Sequence, residues 1–172
     1  MITLNKKMNI YLDHNATSPT RPEAIEAMYE MMKLGGNPSS VHSHGRMARQ
    51  KLDKARMQVA TFVGARAKDV IFTSGGTEAN NIALRSSGAK RLIILQSEHD
   101  SIKAASVDFY GEVVTLPVDQ NGLVIIEDLI EALVDKGEGT LVSIMLANNE
   151  TGVIHPIKEL SNLVHSFGAK IH

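Results

Sequence analysis

Phe72-Thr73-Ser74-Gly75-Gly76-Thr77-Glu78-Ala79-Asn80-Asn81 is the stretch on which the reading of this chain turns. It opens on the apolar run Val70-Ile71-Phe72, which reads as a buried strand. Two glycines follow, and a helix opens at Thr77. A strand, a glycine turn and a helix N-terminus together hold an anionic phosphate on free backbone N–H groups. The glycine spacing matches neither G-x-G-x-x-G nor G-x-x-x-x-G-K, the commonest dinucleotide and nucleoside-triphosphate loops. A short Gly-Gly-Thr turn suits a single terminal phosphomonoester, set against two or three N–H groups, a hydroxyl and a helix dipole. A plain tight turn is the competing reading.

Outward from this stretch, strands and helices alternate. Residues 69–73 read as strand and 77–86 as helix. Arg91–Leu95 reads as strand, 101–109 as helix and Glu112–Leu116 as strand, with a short strand near Leu123. Helix is expected over 127–134, strand over 140–146, helix over 157–167, and a last strand from Ala169. This alternation implies an α/β fold, a mostly parallel sheet with helices on both faces. Toward the N-terminus, Pro22 starts a helix with Ile25, Met28 and Met32 on one stripe, ended by Gly35-Gly36. A second helix, Ser43–Val63, carries Ala48, Leu52, Ala55, Val59 and Phe62 along one face, with Gly64 at its C-cap. Residues 1–20 read as an arm and polar loop, and 21–172 as part of one larger domain.

Other segments carry candidate chemistry. Glu98-His99-Asp100 follows a strand, at the carboxyl edge where open α/β sheets bind ligands. An imidazole there can stack on a planar ring or move a proton; a surface His among acidic neighbours is the plainer alternative. Ala147-Asn148-Asn149-Glu150-Thr151-Gly152 follows another strand, and its paired amides suit a ring oxygen or a carboxylate. An Asx-type turn is the competing reading there. His42 and His44 read as a loop and helix cap rather than as metal ligands, and no metal is expected. Three of these segments fall on one sheet edge, which strengthens each as part of a site.

Bulk properties limit the alternatives. The 172 residues hold 18 basic and 19 acidic side chains, a net charge of −1. Without blocks of like charge, no nucleic-acid or acidic-lipid partner is expected. There is no cysteine, so a disulfide, a thiolate metal site and a cysteine nucleophile are excluded within these residues. The longest apolar runs are strand-sized and no signal peptide is read at the start, so no membrane span and a cytoplasmic location are expected.

Tyr11-Leu-Asp-His-Asn-Ala-Thr17, Gly36-Asn-Pro-Ser-Ser-Val-His42, the stretch from Phe72 to Asn80, Glu98-His99 and Asn148-Asn-Glu-Thr-Gly152, taken together, resemble the cysteine desulfurases. These are class V, fold-type-I enzymes dependent on pyridoxal 5′-phosphate, and the resemblance runs from about Ile10 to the last residue. It implies the large domain of that fold, here truncated. It also implies a phosphate turn at Gly76 and Thr77, a ring-stacking and proton-transferring His at His99, and an amide near the ring oxygen and substrate carboxylate at Asn149. The activity implied is conversion of L-cysteine to L-alanine with sulfur passing to an enzyme persulfide, for iron–sulfur cluster or tRNA thiolation pathways. A homodimer and a sulfur-acceptor protein are the implied partners.

The family's Asp and Gln, which His172 opens toward, its Schiff-base Lys and its catalytic Cys have no counterpart here. Lys90, Lys103, Lys158 and Lys170 stand in the wrong contexts to replace that Lys. The chain is therefore expected to be the N-terminal portion of a longer enzyme, inactive by itself. Another class V aminotransferase or a selenocysteine lyase is an alternative. A non-catalytic fragment retaining only fold or dimer contacts is another.

Overall fold

The computed structural model describes residues 10–172. The part of the expected arm within residues 1–9 lies outside them. The chain divides into two compact units, one through Phe72 and one from Thr73 to His172.

Among its described residues the first unit contains two α-helices. α1 spans Pro22–Leu34, opened by Pro22 at its first position. There proline's fixed φ is already helical and its missing N–H costs no bond. Its Ile25-Met28-Met32 stripe is exposed, and α1 buries no residue. α2 spans Ser43–Val63 and ends on Gly64, which takes a left-handed conformation at φ 69°. The expected apolar face of α2 is only partly used: Ala48 is buried, whereas Phe62 is 90% exposed. His42 is a helix cap, its Nδ1 accepting the Gly45 N–H at 3.3 Å.

The expected strand at 69–73 is not formed. A 3-10 turn covers Ala67–Asp69, and residues 70–73 have no strand pairing. Val70 has extended dihedrals, yet Ile71 is 70% exposed. β-propensity creates extended backbone, but a strand exists only where a neighbour accepts its ladder bonds. Among the described residues this run has no ladder partner.

The second unit is a parallel α/β layer. Its helices and strands alternate as α3 (Gly76–Ser86), β1 (Arg91–Leu95), α4 (Asp100–Val107), β2 (Glu112–Leu116), α5 (Ile126–Leu133), β3 (Thr140–Ser143), α6 (Ile157–Ser166) and β4 (Lys170–Ile171). The sheet order is β2-β1-β3-β4, every pair parallel. The short strand expected near Leu123 is a single antiparallel bridge, Val118 to Val124. β3 stops three residues before the expected Leu146.

β1 explains why helices cover both faces. Its apolar residues run without alternation, as a strand buried on two sides requires. Leu92 and Ile94 join Leu84 of α3 and Ile102 of α4 in one core. Ile93 and Leu95 face the opposite way, packing with Leu129 of α5 and Val164 of α6. Each fully buried side chain of this size contributes roughly 1.5–3 kcal/mol. From β1 the chain moves outward to β2, then returns to β3 on the other side. The loops after β1 and β3 therefore part company, which opens a crevice at their carboxyl ends.

Candidate functional site

That crevice sets where the marked residues lie. Two cavities adjoin there, and His99 lines both. One, of about 260 Å³, is also bordered by Asn80, Glu98, Ser143, Met145 and His172. The other, of about 90 Å³, is bordered by Ser97, Lys103, Asn148 and Asn149 among others. A larger cavity, about 670 Å³, lies between α1 and α2 of the first unit and contains none of the marked residues.

His99 is fixed by the start of α4, where it is the N-cap residue. Its Nδ1 accepts the Ser101 N–H at 3.0 Å and lies 2.8 Å from the Ser101 hydroxyl. An N–H can only donate, so Nδ1 is the acceptor and the neutral ring carries its proton on Nε2. Asn80 of α3 completes the chain, donating from Nδ2 to Ser101 Oγ at 2.8 Å. The Ser101 hydroxyl is thereby free to turn its own hydrogen toward His99.

Gly76 and Thr77 begin α3, one turn before Asn80. The first bond of this helix runs from Ala79 N to the Gly75 carbonyl at 3.1 Å. The amides of Gly76, Thr77 and Glu78 precede it and have no carbonyl in the helix to reach. A Cβ on Gly75 or Gly76 would meet nothing within 4 Å, so the space over this turn is open. Glu78 does not fill it. Its carboxylate reaches back to the Ser74 N–H at 2.5 Å, and that bond holds its pKa below the ordinary carboxylate value. The turn follows an unpaired extended segment rather than a strand. Only His99 and Asn149 thus sit directly beyond sheet strands.

Asn149 is exposed in the loop after β3, on the rim of the smaller cavity. Asn148, its expected companion, is committed elsewhere. Its Oδ1 accepts the N–H groups of Glu150 and Thr151, each at 2.8 Å. Its Nδ2 donates to the Ser97 carbonyl at 3.0 Å. Every strong donor–acceptor direction it needs for the turn is already used, so the two amides do different work.

No sequence pattern gives Glu98, Asn80 or Ser101 a role of its own. Glu98 is 3% exposed, and its Oε1 accepts the Met145 N–H at 2.8 Å. Burial raises its pKa, partly offset by the N–H bonds from Met145 and His99. No local pattern points to this contact, because its partner is a backbone group 47 residues away. His155 is buried as well, at 1% exposure, and burial pushes its pKa down, partly offset by the Met145 backbone.

The crevice thus holds an imidazole of defined tautomer and an exposed amide, while the N-terminus of α3, with open space at Gly75 and Gly76, lines neither of its two cavities. The donor set fits a pyridoxal phosphate: amides for the phosphate, an imidazole and an amide for the ring. Residues 10–172 match the aminotransferase class-V family, and the chain belongs to it. It is 40% identical over 176 residues to a cysteine desulfurase IscS of Dictyoglomus turgidum, covering 96% of this chain and 44% of that protein. A selenocysteine lyase of Bos taurus is 40% identical over 186 residues, covering 91% and 42%. The X-ray structure of a NifS-like protein from Rickettsia africae superposes with a TM-score of 0.83 at 37% identity, over 95% of this chain and 46% of that one. The chain spans less than half the length of these relatives.

Proposed function

We propose that this chain forms part of the cofactor-binding large domain, over residues 21–172, of a pyridoxal 5′-phosphate-dependent cysteine desulfurase. The observation that carries this reading is the crevice at the ends of β1 and β3, where His99 and Asn149 border one cavity. The open amide turn at Gly76-Thr77 supports it. When bound, the cofactor supplies a protonated ring that draws electrons from the substrate's α-carbon. The amides of Gly76, Thr77 and Glu78 and the Thr77 hydroxyl would hold its phosphate. His99 would face its ring and could exchange a proton at Nε2, since Nδ1 is taken by the Ser101 contacts. Asn149 offers its amide to the ring oxygen and to the substrate carboxylate.

The overall reaction balances without an added oxidant. L-Cysteine and an enzyme thiol give L-alanine and an enzyme persulfide, the sulfur atom moving from one to the other. The thiol and the Schiff-base Lys come from outside residues 1–172, which hold no cysteine. We therefore expect these residues alone to release no sulfide. The intact enzyme works as a cytoplasmic homodimer and passes its sulfur to an acceptor protein serving iron–sulfur clusters or tRNA. Among the described residues, no helix is long and apolar enough to cross a membrane.

The similarity to a selenocysteine lyase favours a second reading, with the same fold and cofactor but a selenium substrate. Both are tested on the full-length protein with pyridoxal 5′-phosphate. L-Cysteine and L-selenocysteine are supplied separately, and alanine is measured. Alanine from cysteine, lost in Thr77→Val and His99→Ala, supports desulfurase action. Alanine from selenocysteine alone supports the second reading, and none from either rejects both.

A further inference from the structure

We propose that Glu98 and Asn148 are positioning residues that lock the His99 loop to the Asn149 loop. The role rests on the reading of the crevice as the cofactor site. The need for such a lock follows from the topology. The β1–β3 ladder ends at the pair Ile94 and Ser143, while β1 continues with β2 to the pair Leu95 and Leu116. Beyond Ser143 the two central strands part, and their backbone groups lose each other as partners. Two side chains replace the missing rungs. Glu98 Oε1 takes the Met145 N–H at 2.8 Å, and Asn148 Nδ2 gives to the Ser97 carbonyl at 3.0 Å. In both bonds the donor lies on the loop after β3 and the acceptor on the loop after β1, while the side chain reaches out from a different loop in each.

Both residues are buried, Glu98 to 3% and Asn148 to 6% exposure. Burying a carboxylate is costly unless it makes a strong bond, and a carboxylate accepting an N–H is among the stronger kinds. An apolar side chain would fill the same space at lower cost but would leave the Met145 N–H unbonded. Each residue is also next in sequence to a proposed functional side chain, Glu98 to His99 and Asn148 to Asn149. Asn148 closes the turn under Asn149 through Glu150 and Thr151 as well. The lock thus sets the spacing between imidazole and amide, while neither Glu98 nor Asn148 touches the substrate.

Hydrogen exchange of the full-length protein, followed by mass spectrometry without added cofactor, tests the lock directly. Glu98→Ala is expected to speed exchange about tenfold in peptides covering both 96–100 and 145–152. Glu98→Gln keeps an acceptor oxygen and is expected to restore near wild-type exchange. Should Glu98→Ala fail to fold, Asn148→Asp carries the test, since it retains the turn-closing acceptor and loses only the donor to Ser97. Loosening confined to the mutated loop, or a Glu98→Gln variant as loose as Glu98→Ala, overturns the proposal. Cofactor titration by absorbance gives a separate readout. In a wild type that binds pyridoxal 5′-phosphate, Glu98→Ala and Asn148→Asp should each weaken it about tenfold, and unchanged affinity also overturns the proposal. A wild type that binds none sinks the functional reading instead, and the exchange result still decides the lock.

Discussion

Asn80 on α3 donates its side-chain amide to the Ser101 hydroxyl on α4 at 2.8 Å, and Ser101 in turn meets His99 Nδ1. This links the helix that begins with the Gly76-Thr77 turn to the helix that the imidazole caps. His99 is thus both a structural cap and the proposed proton-transferring group, and the two roles separate by substitution.

His99→Ala removes the cap acceptor for Ser101 N–H and is expected to destabilise the protein by about 1 kcal/mol. His99→Asn retains a short polar acceptor and should recover most of that. Neither variant recovers activity, because an amide does not titrate near neutrality. Urea unfolding alongside a cysteine-dependent alanine assay checks both halves.

Gly76→Ala separates site from fold in the opposite sense. A Cβ there meets nothing within 4 Å, and Gly76 is helical without a positive φ. Its replacement should raise stability by about 0.4–1 kcal/mol by restricting the unfolded chain. The new methyl intrudes on the space over the amides, so pyridoxal 5′-phosphate affinity should fall. Thermal melts without cofactor and absorbance titration with it report the two effects. A tighter-binding variant would contradict the placement of the phosphate.

Two buried groups give stability opposite pH slopes. His155 has a folded pKa below its ordinary 6.5. Below that value the unfolded chain gains a proton the folded one resists, so stability falls as pH falls. Glu98 has a folded pKa above its ordinary 4.5. There the folded chain holds the extra proton, so its contribution is lost as pH rises through the folded value. Denaturation between pH 4 and 7.5 should show a shallower acid loss for His155→Leu. Glu98→Gln should gain on the wild type toward neutral pH.

Gly45 tests the first unit. A Cβ on this buried residue would collide with the backbone carbonyl of Ser40 and lie 2.8 Å from that of Asn37. The Asn37-Pro38-Ser39-Ser40 turn therefore rests on bare backbone at the start of α2. Gly45→Ala should cost about 1–3 kcal/mol, as overpacking does. A calorimetric melt unchanged from wild type would show that the turn yields freely.

The alternating strands and helices, the caps at Gly64 and His42, and the glycine turn were legible in the sequence, because each depends on neighbours within a few residues. Arg91–Leu95 and Glu112–Leu116 appear with the expected bounds. The run Val70-Ile71-Phe72 misled, since its apolar, β-branched character speaks of burial while its exposure depends on a partner strand. His99 and the pair Asn148-Asn149 are marked by their places after strands, and the choice of Asn149 within the pair rests on the family resemblance. Glu98 and Asn148, adjacent to them in sequence, give no local sign of their separate work.

What the chain determines by itself is local: periodicity, turn chemistry, and a set of motifs specific enough to point to a family. Tertiary structure decided the order β2-β1-β3-β4, and with it the crevice where two central strands part. It also decided that a buried carboxylate and a buried amide bridge that gap, because hydrogen bonds between residues 47 and 51 positions apart exist only once the sheet has brought them together.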